Sequence, residues 1–286
     1  MRGVYPALAF VSWYNGHPAF SHLAPKFDTG VEEVTVIGQG NVALDVSRIL
    51  LKSTSSLAQT DLPDSALDVL SRSRVKRVTV VGRRGPGQVS FTPKEFREMI
   101  NLPDVVFSGV EEGLMEDAKG MVDGDRMRRR LLGLMGKATL GSNAGSGSGT
   151  GSRVGGKEFR LDFLKSPKAF LPRGGEERVG RVEWEINELL TPAPNQPDPP
   201  KSQEQSVPKP AVVARPTGRK VIEKTDMVIE SVGYRSEPLG IGEEGWDLPF
   251  DLGRGRVRNI GGRVVDEGGI AVSSPVHYWE IADRMR

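Results

Sequence analysis

The sequence predicts an α/β fold, a Rossmann-like nucleotide-binding domain around a parallel sheet, and three observations predict it. Residues 34–37 are a short apolar run closing on glycine in the stretch VIGQGNVALD. From Asn41 onward, Val42, Val46, Ile49 and Leu50 recur at helical spacing. Residues 78–81 are a second buried run, again closing on glycine, in VVGRRGP. Strand, helix and strand in that order specify a parallel pair joined by a right-handed crossover.

The other elements follow in chain order. Residues 1–32 form an opening segment, with a strand candidate at 7–13 and turn signals at Asn15-Gly16 and Pro18. The helix after the first glycine loop ends near Lys52, before the serine-rich STSS, and residues 64–73 form another helix candidate. Thr92 caps a helix over residues 93–102, with Pro93 in its first turn and Glu95 at the third position, a capping box with proline added. The basic segment DRMRRRLLGLM leads into a glycine-serine tract at 141–156, a flexible insertion. Strand patterns resume at 159–164 and 182–186. A second insertion, 191–218, opens with an extended, mobile proline-rich tract. Residues 227–232 make another strand, and 262–266 and 269–272 are strand-like. Residues 33–230 are thus read as the nucleotide-binding domain and 231–286 as a separate remainder.

The totals set bounds. The 286 residues suffice for one large or two modest domains with a real core. A net charge of +2 points to no particular partner, and no nucleic acid is expected. With no cysteine, disulfides, thiol redox chemistry and cysteine-ligated metal are excluded, and no metal site is expected. No apolar run approaches the ~20 residues that span a bilayer, and no targeting segment is visible.

Gly38, Gln39, Gly40, Asn41, Val42 and Ala43 fit the dinucleotide fingerprint, with alanine as the third small residue. Gly38 allows the tight turn, Gly40 lets a pyrophosphate approach the backbone, and Ala43 lets the helix lie close to the strand. The amides of Asn41 and Val42 then stand at a helix N-terminus, where the dipole favours an anion. At the end of the second strand, NAD-binding versions of this fold carry an acid for the ribose 2′-hydroxyl. This chain has Arg83 and Arg84 instead. Two guanidiniums grip a 2′-phosphate that a carboxylate would repel, so the coenzyme expected is NADP(H). Glu95 is either a structural cap or a contact on the ribose and nicotinamide side. Asp45 is read as a structural polar contact, and His17, His22 and His277 form neither a triad nor a metal spacing.

FVSWYNG, VIGQGNVALDVSRILL, VVGRRGPGQVSFTPKEFREMINLP, LDFLKSPKAFLP, SVGYRSEP and GRVVD together resemble the adrenodoxin reductase family. These are mitochondrial NADPH–ferredoxin reductases of the glutathione-reductase-like superfamily. The resemblance runs over residues 10–266 in the same order. It implies two nucleotide domains, one for NADP and a discontinuous one for FAD. Here 1–32 and 231–286 would be parts of the FAD-type domain. It implies hydride transfer from NADPH to FAD, then single electrons to an acidic ferredoxin. No side chain need be catalytic. Position by position, it places Gln39, Gly40, Asn41 and Val42 at the diphosphate, Arg83 and Arg84 at the 2′-phosphate, and Glu95 nearby. Arg126, Arg128, Arg129 and Arg130 align loosely with the basic helix that docks the ferredoxin; the sequence alone reads them as a solvated basic face. Mitochondrial localisation and peripheral contact with the inner membrane are further implications.

The family's GxGxxG for the FAD diphosphate and its GW…RGP…G stretch after GRVVD are not found here. The reading is therefore a reductase shortened at both ends that retains FAD poorly. The alternative is a catalytically incomplete NADP-binding fragment or regulatory module without bound FAD.

Overall fold

Six parallel strands, in the order β1-β9-β2-β3-β5-β4, form the central sheet. They are β1 (Val4–Pro6), β2 (Glu33–Ile37), β3 (Arg77–Val81), β4 (Val105–Phe107), β5 (Lys157–Asp162) and β9 (Met227–Glu230). The computed structural model describes residues 1–25, 30–122, 125–144, 156–190, 212–233, 249–251, 253, 255–260 and 263–265. An antiparallel sheet of β6 (Lys165–Pro172), β7 (Val179–Leu190) and β8 (Val213–Lys224) stands beside the parallel one. Met1–Val232 and Gly233–Arg286 are two compact units. In the second, β10 (Phe250–Asp251) pairs with β11 (Arg256–Val257), and β12 (Asn259–Ile260) with β13 (Arg263–Val264), both antiparallel. The α/β class and the parallel sheet are as the sequence predicts.

The middle strands are buried on both faces: helices cover one, and β7 covers the other, where Ile37, Val81 and Val228 pack with Val179, Val182 and Trp184. Val34, Val36, Val78 and Val80 are buried, and the buried Thr35 hydroxyl bonds the Thr225 hydroxyl at 3.0 Å. Helix α2 (Asn41–Leu51) buries Ala43, Leu44, Val46, Leu50 and Leu51 along one stripe. Lys157 on β5 donates to the carbonyl of Leu50 at 3.0 Å, placing a cation at the C-terminal end of α2. Burial pushes this ammonium below its ordinary pKa. Helices α3 (Thr54–Leu57) and α4 (Asp64–Ser71) carry the chain to β3, so part of STSS is helical, capped by Ser53.

Several elements differ from expectation. Residues 7–13 are not a strand but lie in helix α1 (Ala7–Tyr14). Ala7, Phe10, Trp13 and Tyr14 are its buried positions, a helical stripe that a short continuous apolar run conceals. Strand β6, KSPKAFLP, was not expected: its two prolines lie in an edge strand, where proline is tolerated. Helix α5 (Pro93–Ile100) has its Thr92 cap, which accepts from the Glu95 amide at 3.3 Å. The reciprocal half of the capping box is missing, because the Thr92 amide donates to Asn41 Oδ1 at 2.9 Å instead. After α6 (Glu112–Met121), helix α7 (Arg126–Ala144) runs beyond the basic segment into the start of the glycine-serine tract. β8 likewise opens inside the second expected insertion. The strand-like residues 269–272, most of both insertions, Tyr234 and His277 lie outside the described residues.

Glu158 on β5 ties three strands together: it accepts from Arg77 on β3 and from Ser108 after β4, while Arg77 also pairs with Glu33 on β2 at 2.7 Å. Burial alone would raise the Glu158 pKa. The hydrogen bonds from Ser108 and Arg77 and the charges of Arg77 and Arg160 outweigh it, and the net direction is down from 4.5. A depressed folded-state pKa adds stability above the unfolded value, lost as pH falls through the folded one. The wild-type melting temperature should therefore fall more steeply than that of Glu158→Gln as pH drops from 6 to 3 (roughly the carboxylate range). Parallel curves would show that the network adds nothing.

Candidate functional site

Strand β2 delivers the glycine loop to the carboxyl edge of the sheet, where ligands of open α/β folds bind. Gly38 has φ +113°, and a Cβ there would lie 2.0 Å from the carbonyl oxygen of Ser231. The loop thus passes too close to the end of β9 for any other residue. Gly38 also donates to Val81 O at 2.8 Å, which brings the ends of β2 and β3 together. Gly40, the N-cap of α2, has open space around a built Cβ, with nothing within 4 Å among the described residues. None of those residues requires glycine there, which leaves a surface open to a ligand. Ala43 is fully buried at the first turn.

The second loop lies directly against the first. The Gln39 amide Nε2 reaches across to Asp162 O at the end of β5, 2.8 Å away, passing over Gly82. The carbonyl of Gln39 accepts from Ser90 N at 2.8 Å, and Asn41 Oδ1 from Thr92 N. The side chains of Gln39 and Asn41 therefore brace the two loops, while the amides at the start of α2 stay at a positive helix end. Arg83 is exposed and Arg84 half-buried. Among the described residues no carboxylate pairs with either guanidinium. Burial first, then the charges of Arg83 and Arg128, push Arg84 below the ordinary guanidinium range. Unneutralised positive charge beside a glycine-lined cradle suits a multiply charged anion.

Glu95 does not stand alone. Its carboxylate pairs with Arg48 on α2 at 2.6 Å, and Arg48 also meets Asp45 at 2.9 Å and Glu98 at 3.5 Å. Burial raises the Asp45 pKa, with Arg48 opposing it and Glu95 and Glu98 adding to it. For Arg48, burial is outweighed by its three carboxylates, so its pKa moves up. The cluster latches α2 to α5 beside the glycine loop.

The α7 arginines start a helix capped by Asp125, whose Oδ1 accepts from the amides of Met127 and Arg128 at 3.0 Å each. All four are exposed, but they spread around the helix. Arg126 and Arg130 line a cleft of about 500 Å³ with Lys94 and Arg97 of α5. Arg129 faces a different cavity, and Arg128 acts on Arg84 while pairing with Asp125 at 3.3 Å. Lys94, Arg97 and Arg48 escaped the sequence reading. The first two stand one turn apart in PKEFREMI, and their spacing was the available signal.

No protein-family model matches the chain. The resemblance read from the motifs is shown by relatives that match along nearly its whole length. The chain is 36% identical to the NADPH:adrenodoxin oxidoreductase, mitochondrial, of Drosophila melanogaster over 285 residues, which is 97% of this chain and 51% of that protein. The Bos taurus protein of the same name is 36% identical over 96% of this chain and 51% of its own length. The NADPH-ferredoxin reductase FprA of Mycobacterium tuberculosis is 34% identical over 92% of this chain and 50% of its own. Among solved structures, Mycobacterium tuberculosis FprA in complex with NADPH superposes with a TM-score of 0.68 at 30% identity, covering 93% of this chain and 51% of that one. The chain thus spans about half the length of the relatives it matches.

Proposed function

We propose that this chain supplies the NADP-binding part of an NADPH-dependent reductase of the adrenodoxin or ferredoxin type. The observation that carries the proposal is the pairing, at one sheet edge, of an unfilled glycine cradle with two arginines that no carboxylate neutralises among the described residues. Gly38, Gln39, Gly40, Asn41 and Val42 would hold the diphosphate, and Arg83 and Arg84 the 2′-phosphate. Glu95, fixed by Arg48, would border the ribose. The residues fit the coenzyme: the cradle has room, and the charge has the right sign.

When bound, NADPH would supply a hydride. The chain's own residues would bind and orient the donor. FAD enters through the family resemblance alone, and no residue of this chain is assigned to it. The basic cleft of Lys94, Arg97, Arg126 and Arg130 supports an acidic iron-sulfur partner, steered by charge. The names of the eukaryotic relatives favour a mitochondrial setting.

Because the chain spans about half of its relatives, binding tests the proposal more directly than turnover. In calorimetric titration NADPH should bind at least about tenfold more tightly than NADH, the worth of one good charged hydrogen bond. An acidic [2Fe–2S] ferredoxin should bind with an affinity that falls as salt rises. Arg126→Glu with Arg130→Glu should weaken it by roughly tenfold. Equal affinity for the two coenzymes would sink the coenzyme assignment, and salt-insensitive ferredoxin binding the docking face.

A further inference from the structure

The antiparallel sheet β6-β7-β8 has no part in the reading above, yet it grips the loop that carries the twin arginines. Three successive carbonyls of that loop are bonded. Lys165 N donates to Gly82 O at 3.1 Å, and Leu164 N to Arg84 O at 3.3 Å. Between them, Asn187 Nδ2 on β7 donates to Arg83 O at 2.9 Å and to Ser166 Oγ at 2.9 Å. The Asn187 amide also donates to Leu164 O at 2.7 Å, closing the bracket.

Each part of this bracket departs from the regular pattern. Leu164 has φ +58°, the left-handed region a leucine rarely enters, in the turn from β5 to β6. The pairing of β7 with β8 slips between Glu185 and Asn187, a bulge that re-aims the side chains after it. Asn187 is 3% exposed, and its Oδ1 is buried without a hydrogen-bond partner among the described residues. A leucine there would leave no orphaned oxygen, so packing alone does not favour asparagine. A carbonyl only accepts, so only the amide nitrogen of Asn187 can serve Arg83.

We propose that Asn187 is a positioning residue for coenzyme selectivity: it fixes the backbone of Arg83 so that both guanidiniums are held ready for a 2′-phosphate. Side by side, two like charges repel, and a loop free to relax would separate them. Anchoring three consecutive carbonyls removes that freedom before the ligand arrives, which is preorganisation. The inference rests on the assignment of Arg83 and Arg84 to the 2′-phosphate.

Calorimetry of the full chain with 2′,5′-ADP and with 5′-AMP separates the two claims. If the wild-type chain binds both equally, the 2′-phosphate assignment fails whatever Asn187 does. If it prefers 2′,5′-ADP, Asn187→Ala should lower the ratio of the two affinities about tenfold. An unchanged ratio, or a parallel loss of both, overturns the positioning role. Asn187→Asp keeps the shape and lacks the donor, and it should lower the same ratio should the alanine variant fail to fold. Ser166→Ala, which leaves the Asn187 bond to Arg83 in place, should keep the ratio within about twofold.

Discussion

Replacing Arg83 and Arg84 together with alanine should reduce NADPH affinity about a hundredfold and leave NADH affinity nearly unchanged. Charged hydrogen bonds contribute ~1.5–3 kcal/mol each, so losing two removes roughly 3 kcal/mol or more, and each 1.4 kcal/mol is a factor of ten. The structure gives no reason for a folding defect. Arg83 is exposed, and the charged form of Arg84 is already disfavoured, by burial first and then by the charges of Arg83 and Arg128. The backbone bonds that hold the loop come from carbonyls and survive both substitutions. Removing the positive cluster should, if anything, ease repulsion with Arg128. Thermal melting should therefore stay within about a degree or two of wild type. An equal loss for NADH would mean the arginines act on the diphosphate or on the fold, and the coenzyme preference would have no basis.

The parts of this molecule legible in its sequence are those where one local pattern suffices. The runs at β2 and β3 are rich in valine and each closes on glycine, and α2 has its apolar stripe. The loop between them is written in six consecutive residues. The misses share a cause: their meaning depends on a distant partner. Residues 7–13 read as a strand until the core shows that Phe10 and Trp13 face it from a helix. Glu95 reads as half of a capping box, but Asn41, 51 positions away from Thr92, takes the amide the box would need. Asn187 lies just past the strand read at 182–186 and carries no signal of its own. Its role appears only when Arg83, 104 positions earlier, is placed beside it. Long-range hydrogen bonds leave no periodic trace, so the residues that position a site are harder to read than those that form it.

The two loop glycines should separate cleanly on substitution. At Gly38, alanine meets two obstacles. Its Cβ would lie 2.0 Å from Ser231 O, a backbone atom that cannot rotate away, and φ +113° lies in a region L-residues avoid. Strain of this kind costs about 1–3 kcal/mol and overpacking about as much again, a large share of a typical stability of 5–15 kcal/mol. Gly38→Ala should therefore lower the melting temperature by several degrees, about two for each kcal/mol lost, and weaken nucleotide binding with it. Gly40→Ala should do the reverse. No atom of the described residues lies within 4 Å of the new methyl, so stability should hold or rise slightly, since alanine restricts the unfolded chain. The methyl would instead occupy the surface proposed for the pyrophosphate, and NADPH affinity should fall by at least tenfold, about 1.4 kcal/mol. A Gly40→Ala chain that melts normally and binds NADPH as well as wild type would show that the diphosphate does not sit on this loop. A Gly38→Ala chain of unaltered stability would show that β9 and the loop are not packed as described. Each glycine thus answers a different question, one about the fold and the other about the ligand.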